Sequence, residues 1–391
     1  MKIRRISSEE RMTHSFPLQM YAFGASPAPE GPSRDWLTHN EGNVSVVAED
    51  DAGTAQVVAT GIPMRQNVRG AVLPMAGIAG VAAHPLARRQ GHARAVLTQL
   101  LGDMRDEGHV LSALYPFRAS FYARFGYVGL PKQRTATFAP AGLGELLRAD
   151  LPGEVAWERV GTGYDAFRAF TLRLAEHRHG FAVFPDFRDE RLRGEDGRWV
   201  VTARVDGEVT GAALYRITGH GGDLEVDDLL FTDPLSRSLL LRFLAGHVDQ
   251  VSRVVAGIPA DELPELWATD IEVVAEGRTA VPDRNAPMAR VLSVPGLAGV
   301  HTGPGRVTVE VVDDLFLAGT YTLDGHSGQL TVETGGAPGA QLRAAGLSAL
   351  VYGVLDPREL ALRGLGAVPA DAAAELRTLF PRRVPYLFAD F

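Results

Sequence analysis

The sequence predicts a mixed α/β and α+β protein in three parts: two successive units of like element order, residues 1–145 and 146–287, then a smaller α+β domain, 288–391. Three observations predict it. In the first 145 residues, Val-rich alternating stretches give way to a helix, a strand, a second helix and a strand. From about residue 154 the same broad order returns. Near Pro287 the pattern changes to short strands joined by tight turns, with three helical stretches after them. A chain of 391 residues has room for this, since domains average roughly 100 to 200 residues.

The chain opens on a helical stretch. Residues 43–48 and 55–62 read as an antiparallel pair, with Asp50-Asp51-Ala52-Gly53 as the hairpin turn. A third strand, 73–83, runs into His84-Pro85. The next helix places Ala93, Val96, Leu97, Leu100, Leu101 and Met104 on one face and stops near Gly108. Residues 110–114 form a short buried strand, 117–125 a helix closed by Gly126, and 128–138 a returning strand. A Pro/Gly/Ala-rich linker with a short helix spans 139–153. The second unit then shows a helix at 164–176, strands at 199–205, 209–217 and 224–231, a helix at 236–251 and a strand at 253–257. In the third part, strands at 306–312, 315–323 and 328–333 precede helices at 345–352, 357–363 and 370–380.

Composition excludes several classes of function. The hydrophobic fraction of 46% and charged fraction of 22% are those of a globular protein, and Gly 43 with Pro 24 is too little for a disordered chain. A net charge of −8 lacks the basic footprint of a nucleic-acid binder and suits cationic partners better. With Cys 0 there are no disulfides, thiolate metal sites or thiol nucleophiles. His84, His92 and His109 have no metal-ligand spacing, so no metal is expected. The N-terminus lacks the apolar run of a signal peptide and no stretch is long and apolar enough to span a bilayer, so a cytoplasmic protein with no membrane partner is expected.

One stretch carries most of the chemistry: Gly80-Val81-Ala82-Ala83-His84-Pro85-Leu86-Ala87-Arg88-Arg89-Gln90-Gly91-His92-Ala93-Arg94, where a strand passes into a helix. The first N–H groups of a helix have no intrahelical acceptor and sit at the positive end of its dipole, so such a turn takes anions. Gly91 lets the backbone come close, and Arg88, Arg89 and Arg94 add permanently cationic forks suited to phosphate oxygens. The same residues also fit a plain solvated helix start. Downstream lies Phe117-Arg118-Ala119-Ser120-Phe121-Tyr122-Ala123-Arg124-Phe125-Gly126-Tyr127.

The pair of segments, Arg-x-x-Gly-x-Ala and Phe-Tyr-x-x-Phe-Gly-Tyr, resembles the GNAT acetyltransferases. Two GNAT-like units, a small sterol-carrier-like (SCP2-type) domain and an aromatic C-terminus together resemble the Eis (enhanced intracellular survival) family of GNAT N-acetyltransferases, over essentially the whole chain. The resemblance implies acetyl-CoA as co-substrate. It places Val81, Ala82 and Ala83 along the pantetheine arm, Arg88, Arg89, Gln90, Gly91, His92, Ala93 and Arg94 around the pyrophosphate, and Phe117 and Arg118 beside the thioester. It makes Tyr122 the proton donor and Phe391, through its free α-carboxylate, the proton acceptor. A homohexamer is implied as well. Where some relatives have Ser-Glu-Gly-Gly before the tyrosine, this chain has Phe117 to Ser120, a bulkier and more cationic lead-in.

Chemistry makes these roles sensible. An alkylammonium of pKa about 10 must lose a proton before it attacks a thioester, and the departing thiolate gains from a nearby phenol. The tail aromatics Tyr386, Phe388 and Phe391 suggest a docked end, and Asp390 adds an acid where a cationic substrate would sit. In the second unit, residues 224–231 run into Thr232-Asp233-Pro234 with no glycine-centred turn, so that unit is expected to bind no coenzyme. The function expected is acetyl transfer to primary amines of cationic small molecules, aminoglycoside- or polyamine-like, or to lysine side chains. The alternative is a lipid carrier in which Leu347, Leu350, Val351 and Leu355 line a cavity and the GNAT-like units are inert.

Overall fold

The structure is a computed structural model that describes residues 1–24, 31, 42–183, 192–194, 197–281 and 285–391. The chain divides into two compact units: Met1–Leu130 with Arg178–Phe187 and Val281–Phe391, and Pro131–His177 with Arg188–Ala280.

The first unit contains a sheet of β1 (Lys2–Ile6), β2 (Val44–Glu49), β3 (Ala55–Val68), β4 (Ala71–Ala83), β5 (Leu111–Leu114), β6 (Val128–Gly129) and β7 (Met288–Val291), in the order β1-β2-β3-β4-β5-β7-β6. Strands β1 to β4 are antiparallel neighbours, and β4 and β5 run parallel. The turn between β2 and β3 forms as its residues dictate: Asp50 Oδ1 accepts from the N–H groups of Ala52 and Thr54 at 3.0 and 2.8 Å, and Gly53 supplies φ +80. Helix α1 (His92–Asp106) buries Val96, Leu97, Leu100, Leu101 and Met104 against Val44, Val46, Val57 and Ala59, the face its spacing predicts. Each such side chain contributes about 1.5 to 3 kcal/mol on burial, so this face fixes the helix on the sheet.

In this first sheet three strands differ from the sequence expectation. The chain begins with β1, ahead of the helices Arg11–His14 and Phe16–Phe23, because Ile6 turns into the core and Arg4 grips Glu49 of β2 with Nε and Nη2 at 3.0 and 2.6 Å. The stretch 128–138 is two strands. Pro131 offers no N–H to a ladder, and only Val128–Gly129 joins this sheet. Finally, β7 enters between β5 and β6, with Ala289 opposite both Ala113 and Val128. Its Arg290 is buried, makes a two-pronged pair with Asp314 at 3.1 and 3.0 Å, and also donates to the carbonyls of Val291 and Phe125. A buried charge is tolerable when partnered this fully.

The same unit holds a five-stranded sheet, ordered Thr331–Thr334, Gly319–Asp324, Arg306–Val312, Ala340–Arg343 and Gly366–Ala367, with helices α2 (Ala344–Val351), α3 (Pro357–Leu362) and α4 (Ala370–Leu379). Leu347, Leu350 and Val351 are fully buried, and Leu355 is nearly so, all in one core cluster. They are packing residues. Arg69, at the tip between β3 and β4, is buried too. Its Nε donates to Val351 O at 2.6 Å and its Nη2 to Leu350 O and Pro381 O, each at 2.9 Å, where the negative end of α2 favours a cation. Burial still pushes its guanidinium down to about 9. Next to it, His179 accepts from Arg69 N–H through Nδ1 and donates through Nε2 to Tyr352 O, both at 3.0 Å. Burial pushes its imidazole down to about 4.

The second unit has a seven-stranded sheet ordered Val273–Glu276, Arg134–Phe138, Arg253–Ile258, Asp223–Phe231, Glu208–Ile217, Trp199–Val205 and Glu154–Arg159. Helices Val160–His177 and Pro234–Ala245 belong to it. Its parallel pair, Asp223–Phe231 with Arg253–Ile258, corresponds to β4 with β5.

Candidate active site

The site begins where the first sheet opens. Pairing of β4 with β5 runs from Met75↔Leu111 to Ile78↔Leu114; β5 then ends while β4 continues to Ala83. Among the described residues, no strand pairs with Ala79 to Ala83 on that side. On its other side β4 bulges: between Val58↔Ala82 and Thr60↔Ala79 it spends Gly80 and Val81 against the single Ala59, and Gly80 takes φ +57. Val81, Ala82 and Ala83 therefore form a strand edge that no described strand covers on the β5 side.

That edge leads into the arginine-rich turn. Arg89 and Gly91 both have positive φ, +63 and +86, and Gly91 is the N-cap of α1 with no side chain capping it. A Cβ at Gly91 would meet nothing within 4 Å, so the glycine serves the backbone angle and leaves the space before the helix open. Arg94 N–H bonds back to Gly91 O, but among the described residues the N–H groups of His92 and Ala93 have no acceptor. Gln90 braces the turn, donating to Leu86 O at 2.9 Å and contacting His92 Nε2 at 3.2 Å through Oε1. Arg88, Arg89 and Arg94 are exposed and, among the described residues, pair with no carboxylate; Arg88 lies over the Tyr21 ring at 5.8 Å. A cavity of about 510 Å³ continues from Gly91 and Arg94 along α1 to Phe316. The turn thus gathers unsatisfied N–H donors and cationic side chains at one helix start.

Two further groups lie on opposite faces of β4, beside the last residues that pair with β5. Tyr122, in the short helix Ala119–Ala123, is buried with Ala76, Ile78 and Leu114 on the α1 face. Phe117, Phe121 and Tyr127 surround its ring edge-on at 5.5, 5.0 and 6.1 Å. Burial raises its phenol well above the ordinary range, with Tyr127 adding to the effect. Among the described residues its hydroxyl makes no hydrogen bond. Tyr127 is different. Ser112 Oγ donates to Ala76 O at 2.9 Å, so the 2.6 Å contact between Tyr127 Oη and Ser112 Oγ must use the tyrosine proton. Tyr122 is thus the phenol with a proton to give.

Phe391 lies on the other face. Its ring packs edge-on to Tyr115 at 5.7 Å, and a Cβ on Gly77 would come within 3.0 Å of it. Gly77 directly follows Ala76, and neighbours on a strand point to opposite faces. The tail reaches this place by docking: Tyr386 N–H donates to His179 O at 2.9 Å, Ala389 N–H to Ala182 O at 3.2 Å, and Phe388 stacks on Phe181 at 4.7 Å. Tyr115 Oη donates to Ala389 O at 3.0 Å. Asp390 is exposed. Phe117 and Arg118 sit at the lip, both exposed, with Asn285 Nδ2 donating to the carbonyls of Pro116 and Phe117 at 2.9 and 3.3 Å. Sequence reasoning missed Gly77, Tyr115, Ser112 and Asn285. Each acts through a contact distant in sequence that no local pattern announces.

Comparison with known proteins gives the family. Residues 2–129 and 173–291 each match a family described as acetyltransferase (GNAT) domain, and 294–388 match the sterol carrier protein domain. An uncharacterised N-acetyltransferase of Streptomyces coelicolor is 31% identical over 338 residues, 78% of each chain. The chain is a GNAT N-acetyltransferase. It is of the Eis-like kind: N-acetyltransferase Eis of Mycobacterium tuberculosis is 36% identical over 96 residues, 24% of each chain. Among solved structures, Eis1 of Mycobacterium abscessus matches this Eis-like GNAT protein with a TM-score of 0.77 at 20% identity, over 100% of both chains. A GCN5-related N-acetyltransferase of Kribbella flavida matches at 0.79 and 24%, covering 100% of this chain and 98% of its own. These structural likenesses establish the fold. Among the described residues no cluster of metal-ligating side chains occurs, and no helix is long and apolar enough to cross a membrane.

Proposed function

We propose that this enzyme transfers the acetyl group of acetyl-CoA to a primary amine of a cationic small molecule, aminoglycoside- or polyamine-like, or of a lysine side chain, at the opening between β4 and β5. The observation that carries the proposal is the run of chain from a strand edge to a helix start with no side-chain cap, beside Arg88, Arg89 and Arg94, which among the described residues pair with no carboxylate. The N–H groups of His92 and Ala93, with Arg88, Arg89, Gln90 and Arg94, are suited to hold the pyrophosphate. The edge from Val81 to Ala83 is suited to pair with the amide-bearing pantetheine arm, leaving Phe117 and Arg118 beside the acyl end. The co-substrate supplies the activated acetyl group as a thioester.

The residues then divide the proton work. A neutral amine attacks the acyl carbon; as the C–N bond forms and the C–S bond breaks, Tyr122 gives its proton to the departing sulfur. Its raised pKa keeps that proton in place at neutral pH. The amine's surplus proton passes to the α-carboxylate of Phe391, with Asp390 adding negative charge near a cationic acceptor. Tyr122 and Phe391 lie on opposite faces of β4, so a reacting centre that uses both would sit past the end of β5, where the sheet has parted. Positioning contributes most here, roughly 7 to 11 kcal/mol of barrier, against about 10²- to 10⁴-fold for one proton donor.

Purified protein that is stabilised against heat by acetyl-CoA and releases coenzyme A with members of a broad amine panel supports this reading. Stabilisation by lipids alone overturns it. Extending the chain past Phe391 tests the carboxylate: the expected result is retained coenzyme binding with lost turnover. Resemblance to the Eis family supports a homohexamer, which mass photometry tests as a species of six times 42.0 kDa.

A further inference from the structure

A buried polar chain converges on the β4 bulge. Gln19, in the helix Phe16–Phe23, is 9% exposed and lies beside Leu18, which packs on Ala82 and Val58. Its Nε2 donates to Gly80 O at 3.1 Å and to Thr60 Oγ1 at 3.2 Å, and Thr60 Oγ1 contacts Ser45 Oγ at 3.2 Å. A carbonyl can only accept, so the bond to Gly80 O fixes which end of the Gln19 amide faces the bulge. Thr60 and Ser45 are 3% and 0% exposed, and burying these polar groups is costly unless they bond to one another. The fit at the bulge is tight: a Cβ on Gly80 would lie 2.2 Å from Gln19 Nε2.

In a trans peptide unit the C=O and the following N–H point in opposite directions. Holding Gly80 C=O toward the helix therefore aims Val81 N–H the other way. Val81 is unpaired in the β3–β4 register, and it lies just past the point where β5 leaves β4. Resting on the acetyl-CoA reading above, we propose that Gln19 is a positioning residue for the transfer. By gripping Gly80 C=O while anchored on Thr60, which Ser45 contacts in turn, it fixes Val81 N–H as the hydrogen-bond donor to the thioester carbonyl oxygen, which gains negative charge as the amine adds. An aimed donor of this kind is worth more in the transition state than in the ground state, so its loss falls on kcat rather than on coenzyme affinity.

The test uses the full chain with Gln19→Met, close in shape but without the amide, and Thr60→Val, which frees the far anchor. Removing one oxyanion donor outright costs about 10²- to 10³-fold in kcat, so a donor left in place but misaimed should cost about 30-fold in Gln19→Met and a smaller factor in Thr60→Val. Coenzyme A affinity should stay within about twofold. The deciding readout is the infrared carbonyl stretch of bound ¹³C-acetyl-CoA, which a hydrogen bond lowers: the wild type should show the lowered band, and both variants should move it back toward the free value. A lowered band unchanged in a folded Gln19→Met protein overturns the inference. A wild type that binds no acetyl-CoA overturns the acetyltransferase reading itself, and this inference with it.

Discussion

Each of the two GNAT-like sheets sends a central strand into a helix, yet the two helix starts are chemically opposite. At the first, Gly91 caps α1 without a side chain, and among the described residues two N–H groups have no acceptor and Arg88, Arg89 and Arg94 pair with no carboxylate. At the second, Asp233 caps Pro234–Ala245, accepting from Ser236 N–H at 2.9 Å, Ser236 Oγ at 2.7 Å and Thr232 Oγ1 at 2.8 Å. Burial pushes that carboxyl up, but these bonds outweigh it and hold it below its usual range. Pro234 removes one N–H altogether. The strand before it also bulges, at Asp227, but the place beside the bulge is filled: Gln133 Nε2 donates to Asp227 O and Asp228 Oδ1, and Gly257 runs so close that a Cβ there would lie 2.1 Å from Asp227 O. One helix start awaits an anion and the other carries its own. The proposal that only the first takes a coenzyme rests on that difference.

Giving the first turn the chemistry of the second should disturb coenzyme binding most. Gly91→Asp places a carboxylate before His92 and Ala93, where two charge-assisted hydrogen bonds of about 1.5 to 3 kcal/mol each would otherwise go to phosphate. Coenzyme A affinity, measured by calorimetry, should fall roughly 1000-fold; affinity within tenfold of wild type breaks the comparison. Next comes Tyr122→Phe, expected to lower kcat about 100-fold with coenzyme affinity unchanged, since one proton donor is removed and positioning is kept. Tyr127→Phe should do far less to kcat, because that proton is committed to Ser112. Equal losses in the two variants would refute the assignment of Tyr122 as donor.

Local chemistry made the first turn legible in the sequence: a glycine, flanking arginines and a strand before a helix are all visible within fifteen residues. The α1 face was legible for the same reason, since 3.6-residue spacing states which side is buried. Pairing across long stretches of chain was not. Met288–Val291 is four residues long, and nothing in them says that they belong between β5 and β6. The stretch 128–138 looked continuous because its β-formers outnumber its breakers, yet Pro131 marks where it leaves the first sheet. Gln19 was invisible. Its partner at the bulge is a backbone carbonyl, which leaves no trace in side-chain pattern.

The comparison extends to acid stability, because the first unit buries His179 as a neutral ring while the histidines described in the second, His177, His220 and His247, stay at least partly exposed. Burial depresses the folded pKa to about 4 from an unfolded value of about 6.5. Between those values the unfolded chain binds the extra proton, so stability is complete above about pH 6.5 and declines as pH falls toward 4. At pH 5 the loss should be about 2 kcal/mol relative to pH 7.5. Denaturant titrations should show His179→Gln, which carries no ionisable ring, losing less stability over this interval than wild type. An unchanged pH dependence would place the acid sensitivity elsewhere.

The smallest effect sharpens the contrast most. Asp233→Ala removes the second helix's own anion and should cost about 1 kcal/mol of stability, the usual price of losing an N-cap. Coenzyme binding should remain at one equivalent per chain, because vacating the cap restores only part of an anion site. Pro234 still supplies no N–H, Arg237 stays engaged by Glu262 at 2.7 Å, and Gln133 and Gly257 still fill the place beside the bulge. Calorimetry of Asp233→Ala that gives two equivalents would mean that a single carboxylate had been keeping the second site closed, and that the filled bulge beside it counts for little.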